Sequence, residues 1–180
     1  MALDVGGRPY EWLLWQEAVT LYARDEIAWE AGDTKIIVRG GISHKTGVQS
    51  EIHLNSIVAV RGANIANKKR VPSLTNRALF VRDGHVCMYC GEQFQTSLLT
   101  RDHIMPKAQG GADKWDNVIT ACKHCNNKKG NRTPHAAGMP LLAIPYVPNR
   151  AEYLLLKNRN ILVDQMLFLK HHVPSCRRVM

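Results

Sequence analysis

The sequence predicts an α+β chain in three parts: a small N-terminal α+β module over residues 1–70, a metal-braced strand-strand-helix unit over 71–135, and an extended segment with helices over 136–180. Three observations carry this. Short apolar runs in the first part alternate between helical spacing and β-rich clusters, two Cys-x-x-Cys pairs stand in the middle, and prolines give way to leucine-rich runs at the end. With 180 residues, 45% of them hydrophobic and 22% charged, the chain can bury a core, which excludes a disordered or fibrous protein.

In the first part, Trp12, Leu13, Trp15, Val19, Leu21 and Tyr22 recur near helical spacing and predict a short amphipathic helix from about Trp15 to Arg24. The runs at 27–29, 35–39 and 56–60 read as short strands punctuated by Gly32, Gly40-Gly41 and Gly62. His44 and His53 stand alone, and an isolated histidine is an ordinary surface or core residue far more often than a ligand. Residues 64–72 are polar and basic and end in Pro72, which marks a linker.

Ser73 or Thr75 caps a helix running to about Asp83, and Gly84 ends it. Leu98 to Ile104 reads as a strand stopped by Pro106, and Val118 to Ala121 as its partner across a Gly-rich turn. A short helix follows Cys125 and stops near Gly130. From Ala151 onward, the runs at 153–156, 161–163 and 166–169 predict one or two terminal helices.

Five cysteines suit a secreted disulfide framework poorly, because Cys87/Cys90 and Cys122/Cys125 form two Cys-x-x-Cys pairs and Cys176 is left over as an incidental thiol. Two intervening residues let a tight turn aim both sulfurs at one ion at about 2.3 Å, and the default occupant is a structural Zn²⁺. An iron electron-transfer site or a redox pair is the alternative chemistry for such thiols. The pairs are 31 residues apart, longer than a simple zinc ribbon, so a small substructure is inserted between them.

Charge is uneven along the chain. Residues 1–67 carry a net −2, residues 68–132 a net +7 and residues 133–180 a net +4, within a total of +9 and a pI near 9.5. A positive field concentrated on the metal-braced part attracts polyanions, and nucleic acid leads the list of partners. No stretch reaches the roughly 18 apolar residues of a membrane helix. The opening residues also lack the basic head and apolar run of a secretory signal, so a soluble cytoplasmic protein with no membrane partner is expected.

The segments RDHIMPKAQGG and WDNVITACKHCNNKKGNRTP resemble the HNH endonuclease family, in particular members whose ββα-metal motif is braced by two Cys-x-x-Cys knuckles. The likeness spans about Arg82 to Pro134 and is specific: an Asp-His pair, a Pro, a Gly-Gly, an Asn and a Cys-x-x-Cys-Asn occur in order. The resemblance implies a DNA endonuclease that leaves 5′-phosphate and 3′-hydroxyl ends. It makes His103 the general base, Asp102 a ligand of a catalytic Mg²⁺ or Mn²⁺, and Asn117 the residue that fixes the turn and orients the base.

Chemistry asks for the same parts independently, since phosphodiester hydrolysis needs an activated water and a Lewis acid at the leaving oxygen. The departure from the family pattern is Asn126, which stands where a histidine would give the family its third letter. An amide oxygen suits a hard, hydrated cation, with Asn127 or His124 as substitutes. Lys128, Lys129 and Arg132 are expected to contact phosphates, with Lys107 and Arg101 as weaker candidates, and Trp115 to pack in a small core. The rival readings are a non-catalytic zinc-containing nucleic-acid-binding module and a thiolate-iron carrier.

Overall fold

The computed structural model describes residues 1–62, 71–157 and 160–175, so Cys176 and most of the expected linker at 64–72 lie outside the described residues. The chain divides into two compact units, one formed by Met1–Arg70 with Arg150–Met180 and the other by Val71–Asn149. Both mix helix and sheet, as an α+β chain should. The division differs from the expected third part: residues 136–149 stay with the second unit, while the terminal helices belong to the first.

The first unit is a four-stranded sheet of β1 (Ala2–Leu3), β2 (Pro9–Glu11), β3 (Ile27–Ile42) and β4 (Gln49–Val60) in the order β2-β1-β4-β3. Strand β1 pairs antiparallel with β2 and parallel with β4, and β3 and β4 form one long antiparallel hairpin. The three short strands expected at 27–29, 35–39 and 56–60 are therefore parts of two long ones. Gly32 and Gly40-Gly41 fall where the ladder shifts register, at Ala31/Lys35 and Arg39/Ile42, so they bend the pairing without ending it. Gly32 has φ 89°, and a Cβ there would lie 2.2 Å from Ser56 Oγ and 2.6 Å from Asp164 Oδ2. A side chain there would be strained by the φ and would have to displace both groups, which favours glycine.

Helix α1 (Trp15–Ala23) forms where the apolar periodicity places it. Its Leu21 and Tyr22 pack with Leu13 against a cluster of Ala2, Tyr10, Val58 and Val60. Among the described residues the last two helices are Arg150–Leu156 and Val163–His171. Their Ala151, Leu154 and Leu169 share a core with Leu3, Ile57 and Ala59, which explains why they join this sheet: an amphipathic helix needs a partner for its apolar stripe.

The second unit begins with α2 (Asn76–Arg82), capped by Thr75, whose Oγ1 accepts from Ala78 N at 3.2 Å. Gly84 follows with φ 62°, the left-handed residue that ends such a helix. Strands β5 (Leu99–His103) and β6 (Val118–Cys122) pair in regular antiparallel register from Leu99↔Cys122 to His103↔Val118. Helix α3 (Lys123–Lys129) starts three residues before the expected position because Cys122 acts as its N-cap, with Sγ accepting from Cys125 N at 3.4 Å. The terminal helices are α4 (Arg150–Leu156) and α5 (Val163–His171).

Under this strand-strand-helix unit lies Arg82, its side chain fully buried. Its guanidinium pairs with Asp83 and donates to the carbonyls of Trp115 at 2.7 Å, Val118 at 2.8 Å and Tyr146 at 3.0 Å. Asp83 in turn accepts from Thr120 N at 2.7 Å. Trp115 is buried as expected and donates its indole N–H to Pro72 O at 2.8 Å.

Candidate active site and thiolate cluster

The first knuckle is closed by Cys87 N donating to Glu92 O and Gly91 N donating to Cys87 O, both at 2.9 Å. The second knuckle is the β6-α3 junction. Together they bring the sulfurs of Cys87, Cys90, Cys122 and Cys125 within 4.8 Å of one another, three of the residues buried and Cys90 exposed. Burial alone would push the Cys87 thiol up, but the backbone N–H groups of Cys90, Cys122 and Tyr89 bring it down to about 7. Burial raises Cys90 and Cys125, and the negative charge of Cys87 raises them further. Thiolates this close repel one another, and a soft dication among them removes the repulsion, so the donor set fits a tetrahedral metal site.

The ladder is regular through the Asp102-His103 pair, and the two side chains leave β5 on opposite faces. Thr100 and Asp102 face α3. Asn126 Nδ2 donates to Thr100 Oγ1 at 2.9 Å, and Lys129 Nζ donates to Asp102 Oδ1 at 2.8 Å. The other carboxylate oxygen accepts from Tyr89 OH at 2.5 Å, and Asp102 is only 4% exposed. Burial first, then the hydrogen bond to Asp102 and its charge, raise the Tyr89 phenol, which therefore stays protonated and donates. Asp102 thus sits in a satisfied buried network whose cation is an ammonium.

Arg101 and His103 occupy the other face. His103, its side chain 15% exposed, sets Nε2 2.7 Å from Asp113 Oδ1. Arg101 Nη1 donates to the same oxygen at 3.1 Å, and Lys107 Nζ donates to Oδ2 at 2.9 Å. Lys107, then His103 and Arg101, hold the Asp113 carboxyl far below the usual carboxylate range. Asn117 ties the loop to itself: its Oδ1 accepts from Met105 N at 2.9 Å, and its Nδ2 donates to Met105 O at 3.2 Å and Ala112 O at 3.0 Å.

The structure thus brings Asp102 and Asn126 to one side of β5 and His103 to the other. Among the expected phosphate contacts, Lys128, Arg132 and Lys107 are exposed and Arg101 is half-buried. Lys129 is corrected: at 1% exposure it is a buried counter-ion of Asp102 and presents no charge to a ligand. Arg132 spends part of its donor capacity on the carbonyls of Lys128 and Lys129 at the end of α3. His124 and Asn127 are exposed. Sequence reasoning passed over Tyr89 and Asp113. The one signal for Asp113 was its place just after Gly110-Gly111, on the loop that returns the chain toward β5.

Residues 87–142 match a family model described as HNH endonuclease. The CRISPR-associated endonuclease Cas9 of Corynebacterium diphtheriae is 35% identical over 74 residues, which are 41% of this chain and 7% of that protein. The Cas9 of Actinomyces naeslundii is 35% identical over 65 residues, 36% of this chain and 6% of the relative. The crystal structure of the Type II-C Cas9 enzyme from Actinomyces naeslundii aligns with a TM-score of 0.33 at 20% identity, covering 64% of this chain and 12% of that one. The chain therefore matches only a small part of the length of these relatives.

Proposed function

We propose, from the premise that residues 87–142 carry the HNH endonuclease motif, that this chain is a nuclease that hydrolyses DNA phosphodiester bonds. The observation that carries the reading is the nearly buried His103 at the end of β5, in a ββα unit clamped by four cysteine sulfurs, with Arg101 and Lys107 on the same side. His103 takes a proton from a water. The water oxygen attacks phosphorus, the bond to the 3′ oxygen breaks with its electron pair on that oxygen, and a solvent proton completes the 3′-hydroxyl, leaving a 5′-phosphate. Lys107, Lys128 and Arg132 supply positive charge for the strand.

In this reading the four thiolates hold a structural Zn²⁺. The family implies a second, catalytic ion of the Mg²⁺ or Mn²⁺ class, which would stabilise charge on the leaving oxygen. The carboxylate of Asp102 and the amide oxygen of Asn126, on one face of β5, have the donor chemistry of a hard-cation site. Each oxygen of Asp102 nevertheless already accepts a hydrogen bond, one from Tyr89 and one from the buried Lys129 ammonium, so an ion at Asp102 would have to displace a positive charge. This buried pair is the specific observation that favours the rival reading, a non-catalytic zinc-containing module that binds nucleic acid.

Plasmid cleavage separates the two. The wild-type chain, supplied with Mg²⁺ or Mn²⁺, is expected to nick or cut supercoiled DNA, and His103→Ala to lower the rate on the order of a hundred-fold or more while zinc content stays unchanged. Equal cleavage by the variant removes His103 from the chemistry, and retention of DNA without any cleavage supports the binding module.

A further inference from the structure

The loop between Pro106 and β6 is built to hold one carboxylate against His103. Gly111 lies so close to the end of β5 that a Cβ there would stand 1.7 Å from Met105 O. The three side-chain hydrogen bonds of Asn117 tie the far end of the loop to Met105 and Ala112. Asp113 is carried between these two anchors. Its partner Arg101 is itself held, donating through Nε to Asn76 Oδ1 at 2.9 Å at the start of α2. The chain Asn76, Arg101, Asp113, His103 therefore runs from a capped helix to the imidazole through contacts of 2.7–3.1 Å.

An ionised carboxylate can only accept hydrogen bonds. Asp113, flanked by Lys107 and Arg101, is held in that form, so a contact of 2.7 Å to Nε2 requires the proton to be on Nε2. The neutral ring then has its lone pair on Nδ1. Because Arg101 and Lys107 offset the carboxylate charge, Asp113 acts on the ring chiefly through orientation and tautomer.

We propose that Asp113 is a positioning residue that locks His103 as the Nε2–H tautomer and so makes Nδ1 the nitrogen that accepts the proton of the attacking water. This rests on the nuclease reading for the role of His103. The lock itself is a property of the free protein.

The test uses the full zinc-loaded chain labelled with ¹⁵N at the histidine rings, in long-range ¹H–¹⁵N correlation spectra. The His103 signals are identified by their loss in His103→Gln. The wild type is expected to show a protonated Nε2 and an unprotonated Nδ1, and Asp113→Ala to show both tautomers in exchange. In plasmid cleavage Asp113→Ala lowers kcat on the order of ten- to hundred-fold, the range typical of lost orienting partners, with KM nearly unchanged. Asp113→Glu, which restores a carboxylate, recovers part of both signals.

An unchanged ring pattern in Asp113→Ala overturns the proposal, as does a mixed pattern with wild-type kcat or an effect confined to KM. Failure of the wild type to cleave DNA overturns the nuclease reading instead, and the spectra still decide whether Asp113 sets the tautomer.

Discussion

Each of the two units is held together internally by a chemistry of its own. In the first, the fully buried side chains that join sheet and helices are Leu3, Ile57, Leu154 and Leu169, and the interior carbonyl of Ser56 accepts from Gln165 Nε2 and from the Met1 ammonium, both at 2.7 Å. In the second, Leu79, Val118 and Ile119 supply an apolar layer, but Arg82, Lys129 and Asp102 are buried beside it and four thiols are drawn to one point. A unit of 71–149 has little apolar surface to bury, and small domains of this kind add a metal or a satisfied ionic network to their core. The first unit is expected to tolerate apolar repacking poorly and metal removal well, and the second to behave in the opposite way.

Metal removal should have the largest effect. Binding free energies of roughly 10–16 kcal/mol for structural zinc at neutral pH are folding free energies for the unit they close. A strong chelator, or Cys122→Ser, should abolish amide protection in β5, β6 and α3 in hydrogen exchange while the β3-β4 hairpin keeps its own. Protected β5-β6 amides in the chelated protein would break the comparison. Acid should act in the same direction. Cys90 and Cys125, raised by burial and by the charge of Cys87, must lose protons to bind a dication, so metal affinity falls as pH falls, most steeply below the value of about 7 for Cys87. Competition with a chromophoric chelator at pH 8 and pH 6 measures it.

Arg82→Met comes next. It strands the Asp83 carboxylate and three carbonyls in the interior, a loss of roughly 3–5 kcal/mol for a buried charge deprived of its partner. Denaturant-dependent amide exchange in β6 reads it, and a shift under about 1 kcal/mol would mean the network adds little. In the first unit, Leu154→Ala should cost about 2–5 kcal/mol by leaving a cavity, seen as lost protection in β4 and α5 with the thiolate unit unaffected. Smallest is Thr75→Ala, about 1 kcal/mol from the lost cap of α2, confined to the second unit.

Legibility in the sequence followed the range of the interactions. The Thr75 cap, the Gly84 stop, the helix at 15–23 and the two knuckles rest on residues within a few positions of one another, and all appear where expected. The long hairpin was harder to read because glycine in a strand marks either an end or a bulge, and only the partner strand distinguishes them. The start of α3 was displaced because a cysteine served as cap. Lys129 read as a surface charge beside Lys128, yet the single residue of offset turns it inward to Asp102, 27 positions away.

Local chemistry alone settles the thiolate set, the order strand, strand, helix, and the presence of Asp102 and His103 side by side at the end of a strand. Tertiary structure decides that these neighbours part, Asp102 to Tyr89 and Lys129, His103 to Asp113. It also returns the last two helices to the first sheet. The physical reason is that ligand spacing, capping and periodicity are short-range, whereas the partner a side chain meets depends on strand register, on which face it leaves, and on loops whose closure the intervening sequence does not reveal.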